Sequence, residues 1–213
     1  MFEHVQSSIK ILYKEKYRAQ SSRLKGWDYT SAGWYFVTIC TRNRLPFFGE
    51  IIAGEMRLSL IGQVVAYEWQ RTERTRTYVS LDEWVIMPNH IHGIIILHPI
   101  ESDIETSRAN PHNMHKTSIH PEVLFQQSLH QRDVSTETPR LKAGSLGAII
   151  GQIKSVCAKR IRYKGFCDFD WQAGYYDHII RDNEDLERIR EYIHGNPDKW
   201  DEDVENPANL KRK

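Results

Sequence analysis

Cysteine is scarce in this sequence: Cys40, Cys157 and Cys167 are the full complement of 3 in 213 residues. The number is odd and no two have metal-type spacing, which excludes a disulfide framework and points to reduced thiols in a cytosolic setting. Long apolar runs are missing as well. None approaches the roughly 18 residues that a membrane span requires, and no charged-then-apolar leader opens the chain. The expectation is a soluble, cytoplasmic protein with no membrane partner. Bulk charge is nearly absent, with 29 Lys and Arg against 28 Asp and Glu and a net of +1, so overall electrostatics argue neither for nor against a polyanionic ligand. No internal repeat of solenoid length is found, and the length suits one domain with a full core.

Charge is instead local. Lys10, Lys14, Lys16, Arg18, Arg23 and Lys25 make residues 1–28 a basic segment, and Lys154, Lys159, Arg160, Arg162 and Lys164 form a second one. The stretch from Asp182 to Glu205 is acidic and brings the total back toward zero. Solvated charged faces are the plain alternative for each. From about Pro99 to Lys142 the chain turns to Ser, Thr, His, Pro, Asn and Gln, which predicts a flexible polar insertion with no core of its own. The folded domain then spans residues 29–200, with 201–213 as a tail.

Residues 33–41, "GWYFVTICT", are aromatic and β-branched and read as a strand. Residues 61–74 carry Ile61, Val64, Val65, Glu68 and Trp69 at helical spacing. "SLDEWVIM" and "HIHGIIIL" read as two further strands joined at Pro88 and Asn89, an antiparallel hairpin. In residues 145–162, Leu146, Ile149, Ile150, Ile153, Cys157 and Ile161 share one face of a basic amphipathic helix. "WQAGYYDHIIR" suggests a short strand, and "NEDLERIREYIHGNP" a last helix capped by Asn183 and stopped by Pro197. This order predicts an α+β fold: a ferredoxin-like antiparallel sheet with helices on one face and an additional C-terminal helix.

The chemistry concentrates in "VIMPNHIHGIIIL", residues 85–97. Strand side chains alternate, so His90 and His92 point to one side and Ile91 to the other. Two neutral imidazoles on one face make most of a divalent-metal site, although hydrogen-bonded histidines at a strand edge have the same pattern. On the last helix, Leu186, Ile189 and Ile193 define the buried stripe and leave Tyr192 on its flank, with Asn196 four residues on. Asn196 precedes Pro197, which biases it away from helical geometry. A rim tyrosine and a helix-stop asparagine are the plain alternatives. A phenol has a reference pKa of about 10 and becomes a competent nucleophile when a phosphodiester is polarised and held in line. His90, His92 and Asn196 are neutral ligands, so they would leave the positive charge of a metal undiminished for that phosphate. Tyr175 and Tyr176 compete for the nucleophile's role, one facing in and the other out. His178 reads as structural, and His98, His112, His115, His120 and His130 as incidental to the polar stretch.

The "HIH" strand, the tyrosine of "EYIHGNP", and the segments "YFVTICTRNR" and "WQAGYYDHIIR" resemble the single-tyrosine HUH transposases, most closely the REP-associated tyrosine transposases of bacteria. The resemblance runs from about Tyr29 to Trp200, with the motifs in order. It implies the ferredoxin-like fold and a magnesium or manganese ion. It also implies cleavage and rejoining of hairpin-containing single-stranded DNA, leaving a 5′-phosphotyrosine and a free 3′-hydroxyl. On this match His90 and His92 are the metal ligands, Asn196 the further polar ligand and Tyr192 the nucleophile. The REP-associated group implies a palindromic DNA hairpin as partner and a monomer rather than a dimer. Arg42, Arg44, Lys154, Lys159 and Arg162 are candidate DNA contacts. Trp27, Trp34 and Trp171 are candidates to stack on bases, core packing being the commoner fate. A histidine-triad hydrolase is disfavoured because Ile94 stands where its third alternating histidine is expected. A relaxase or replication initiator would share the chemistry, but the compact single domain favours the transposase reading. A transposase-derived DNA-binding protein without catalysis is the alternative, since binding needs only the basic faces.

Overall fold

The computed structural model of the chain describes residues 23–99 and 142–210. Lys10, Lys14, Lys16, Arg18 and nearly all of the polar stretch at 99–142 lie outside these residues. In order the chain forms β1 (Gly33–Cys40), β2 (Gly49–Ile52), β3 (Glu55–Leu58), α1 (Leu60–Arg74), β4 (Val79–Met87), β5 (His90–Leu97), α2 (Leu146–Tyr163), β6 (Tyr176–Ile180), α3 (Asn183–His194) and a short α4 (Pro207–Leu210). Tight 3-10 turns lie at Arg42–Arg44 and Pro197–Glu202.

The main sheet has the order β4-β5-β1-β6, and each neighbouring pair is antiparallel. Two strand-helix-strand halves interleave, with β1 and β5 central, which is the ferredoxin-like arrangement expected from the sequence. Hydrophobic periodicity does the local work. The apolar stripe of α2, from Leu146 through Ile149, Ile150, Ile153 and Cys157 to Ile161, is buried as its spacing predicted. Together with Ile61, Val65 and Trp69 of α1 it covers Val37, Ile39, Ile91 and Ile95 of the sheet. Gly93 permits this close approach, because a Cβ there would lie 2.4 Å from Cζ2 of Trp69.

Two local features depart from the sequence expectation. The β2–β3 hairpin was not foreseen: its turn places Ala53 and Gly54 at φ 52° and 79°. Asn or Asp is the usual occupant of the first such position, so alanine carried no turn signal. The cap of α3 is Asp182 rather than Asn183. Asp182 is extended, and its carboxylate accepts the Asp185 amide at 2.8 Å, whereas Asn183 is already helical.

On the opposite sheet face the apolar part is covered by α3. Leu186, Ile189 and Ile193 pack on Phe36, Ile94, Ile96 and Ile180. Two polar ties fix the crossing. At the β6 edge, His178 Nε2 lies 2.6 Å from Asp185 Oδ2. At the β4 edge, Arg190 donates to both oxygens of Asp82 at 2.8 and 2.7 Å. The helix therefore spans the sheet from one outer strand to the other.

Candidate active site

Where the apolar packing under α3 ends, the same sheet face becomes polar. His90 and His92 are opposite Cys40 and Thr38 of β1. Both imidazoles are buried, with ring centroids 4.4 Å apart. The crossing of α3 brings Tyr192 over this pair, and its hydroxyl lies 3.2 Å from His92 Nε2 of the same chain. Phe36 supports the phenol ring edge-on at 6.1 Å.

Each histidine is oriented from behind. Asn89 is fully buried and donates its amide N–H groups to the carbonyls of Arg44 and Glu205 at 3.0 and 2.7 Å. That leaves its Oδ1 to accept from His90 Nδ1 at 2.8 Å. His90 therefore carries its proton on Nδ1 and presents a bare Nε2 to the site. Thr38 Oγ1 is 2.9 Å from His92 Nδ1 and holds the second ring in the same sense.

The acceptor that faces His90 was not read from the sequence. Beyond α3 the turn at Pro197–Glu202 carries the chain back, and Asp203 Oδ2 comes to 3.8 Å from His90 Nε2. Atoms of His90, His92 and Asp203 lie within 4.8 Å of one another. His90 Nε2, Asp203 Oδ2 and Asn196 Oδ1 are all buried and make no hydrogen bond among the described residues. Orphaned buried acceptors are costly. A separation of 3.8 Å is too long for a hydrogen bond, yet suits two ligands each about 2.0–2.3 Å from one ion. The donor set thus fits a divalent cation.

Electrostatics agree with a ligand role. Burial pulls the His92 imidazole down to about 3. Burial, with His92 and Arg44 nearby, holds His90 well below its ordinary value. Both rings are neutral at neutral pH, as metal ligands must be. Burial raises the Asp203 carboxyl, and the Glu205 carboxylate adds to this. The Tyr192 phenol is also raised, first by burial and then by Asp203, while the Asn196 side chain beside it acts in the opposite direction. Asn196 keeps a helical backbone (φ −65°, ψ −40°) despite the following proline, which lets the flank of α3 continue one turn.

The remaining candidates scatter. Arg44 has a left-handed backbone (φ 55°), and its guanidinium grips the Glu205 carboxylate, with Nη2 to Oε1 at 3.2 Å. Arg42 is exposed and meets Asp170 at 3.1 Å. The Lys154 ammonium donates to the Gln172 and Gly174 carbonyls and lies 6.0 Å from the Trp171 ring centroid. Its burial pulls its pKa down to about 8. Arg162 reaches the Phe169 carbonyl at 3.3 Å, and Lys159 is exposed. Trp171 is core, Trp27 donates to Tyr35, and Trp34 lies under Arg190, so each has a packing role. Tyr175 binds Arg23 at 2.5 Å away from the histidines, while Tyr176 is half exposed and meets Phe36 at 6.3 Å. Tyr176 therefore shares the sheet face of Tyr192 and packs beside Phe36, whereas the hydroxyl bonded to His92 is that of Tyr192.

No protein-family model matches the chain. A protein of Haemophilus influenzae (strain ATCC 51907 / DSM 11121 / KW20 / Rd), named only as uncharacterized, is 35% identical over 184 residues, covering 86% of this chain and 91% of the relative. Among solved structures, a REP-associated tyrosine transposase bound to a REP hairpin is similar at 18% identity and a TM-score of 0.47, over 87% of this chain and 74% of that one. Among the described residues no helix is long and apolar enough to cross a membrane.

Proposed function

We propose that this chain, which belongs to one family with the Haemophilus influenzae protein, is a metal-dependent DNA transposase or single-strand endonuclease that uses Tyr192 as its nucleophile. The observation that carries the reading is the Tyr192 hydroxyl 3.2 Å from His92, beside three buried acceptors that lack partners. The motifs around His90 and Tyr192 supply the substrate class, single-stranded DNA folded into a palindromic hairpin.

His90 and His92, with Asp203 and Asn196, would hold a magnesium or manganese ion. When bound, such an ion supplies Lewis-acid charge to a scissile phosphate. The chain's own residues do the rest. Asn89 and Thr38 set the two rings, and Phe36 steadies the phenol. The Tyr192 oxygen bonds to phosphorus as the bond from phosphorus to the 3′ oxygen breaks. The phenol proton passes to water, and the departing 3′ oxygen takes one from water. A 5′-phosphotyrosine and a free 3′-hydroxyl result, and reversal with a second 3′ end rejoins the strand. Because tyrosine and histidines come from one chain, a monomer suffices.

The test is incubation with hairpin-containing single-stranded DNA and Mn²⁺, resolved on a denaturing gel. A covalent adduct should form, vanish in Tyr192→Phe, persist in Tyr176→Phe and fall steeply in His90→Ala. An adduct that survives Tyr192→Phe and vanishes in Tyr176→Phe would move the nucleophile to β6. The second reading is DNA binding without catalysis, which needs only the basic faces. DNA binding with no adduct on any hairpin would select that reading.

A further inference from the structure

On the helical side of the sheet, an open groove of about 910 Å³ runs between the start of α1 and the end of α2. Its floor is apolar and its aromatic groups are uncovered: Leu60 is 62% exposed, Tyr67 53% and Tyr163 95%. Val64 lies between them, and Lys159 and Lys164 stand at the rim. Among the described residues no acid lines it. Glu68, buried below, is neutralised by Arg160 at 2.7 Å, and the same guanidinium lies 5.4 Å from the Tyr67 ring centroid. Among the described residues neither lysine ammonium is paired with an acid.

We infer that this groove is a second contact for single-stranded DNA, in which an unpaired base stacks on Tyr163 or Tyr67 while flanking phosphates meet Lys159 and Lys164. Flat aromatic faces beside unpaired cations match a strand that alternates base and phosphate, and among the described residues the groove's lining holds no acid to oppose the phosphates. The position is also right. The Phe48 amide donates to Pro88, next to Asn89 and His90, at 2.9 Å, and the Phe48 carbonyl accepts the amide of Ser59, the cap of α1, at 2.8 Å. The groove thus opens at the end of the sheet where β5 begins with His90, so one strand could pass from the groove around that end to Tyr192. This inference rests on the reading of the protein as acting on single-stranded DNA.

The test is fluorescence anisotropy of a fluorescein-labelled single-stranded oligonucleotide with the full chain in EDTA, where cleavage plays no part. The exposed pair Tyr67→Ala/Tyr163→Ala should weaken binding about tenfold, as loss of one stacked base does. Lys159→Gln/Lys164→Gln should weaken it and flatten its salt dependence. Unchanged binding by both double variants, or binding by the parent of a polyglutamate peptide and not of DNA, would overturn the groove's assignment. The adduct gel separates the two ideas. Weakened binding by the variants with no parental adduct keeps the groove and removes the nuclease. A parental adduct with unchanged variant binding does the reverse.

Discussion

The two faces of the sheet contrast in what they bury. Under α1 and α2 most side chains are apolar, and the two buried acids are each answered, Glu68 by Arg160 and Asp177 by the Tyr29 hydroxyl at 2.6 Å. Under α3 the apolar packing stops at Phe36, Ile94 and Ile193, and the rest of that surface buries His90, His92, Asn196 and the carboxylate Oδ2 of Asp203. Three of their polar atoms lack partners. Burial on the first face stabilises the fold, whereas burial on the second costs stability until something charged is bound. A fold keeps such a cost where function requires it.

The sharpest way to break this contrast is on the helical face. Trp69→Ala removes a fully buried indole and should lower stability by about 3–5 kcal/mol in denaturant titration. The polar face should respond to acid instead. His92 titrates at about 3 in the fold against an ordinary 6.5, so below pH 6.5 the unfolded chain takes up a proton that the folded chain refuses. In metal-free buffer the melting temperature should be level near neutrality and fall as pH drops from about 6.5 toward 3, and His92→Gln should shrink that fall. A slope unaltered by the substitution would place the acid sensitivity elsewhere.

Smaller effects sharpen the comparison. Asn89→Ala frees the His90 ring and should weaken Mn²⁺ binding about 10- to 100-fold by calorimetry. Smallest is Asp203→Asn, which keeps the side-chain oxygen that accepts the Glu205 amide and removes a buried charge opposite His90. In EDTA it should stabilise the chain by about 1 kcal/mol, while the stabilisation that Mn²⁺ brings to the parent should be largely lost. If Asp203→Asn leaves the metal response intact, the cation is held by His90, His92 and Asn196 without Asp203.

Much of this was legible locally. The alternation that puts His90 and His92 on one side, the stripe from Leu146 to Ile161 and the flank position of Tyr192 follow from periods of 2 and 3.6, and the structure retains each. The β2–β3 hairpin was not legible, because Ala53 occupies a left-handed position that alanine seldom marks. Asp203 looked like one acid among several in an acidic stretch. Its only available signal was that "DED" follows a helix-stopping "GNP" within reach of the preceding flank.

The sequence by itself determined which residues share a face, because alternation and helical phase are properties of neighbours along the chain. Only the tertiary structure decided which faces meet. Tyr192 reaches His92 across 100 positions, Asp203 turns back to His90, Glu205 claims Arg44 and backbone carbonyls claim Lys154. Those meetings depend on how α3 crosses the sheet between Asp82 and His178, an angle set by packing, the Arg190–Asp82 ion pair and the His178–Asp185 contact, none of which a local period encodes.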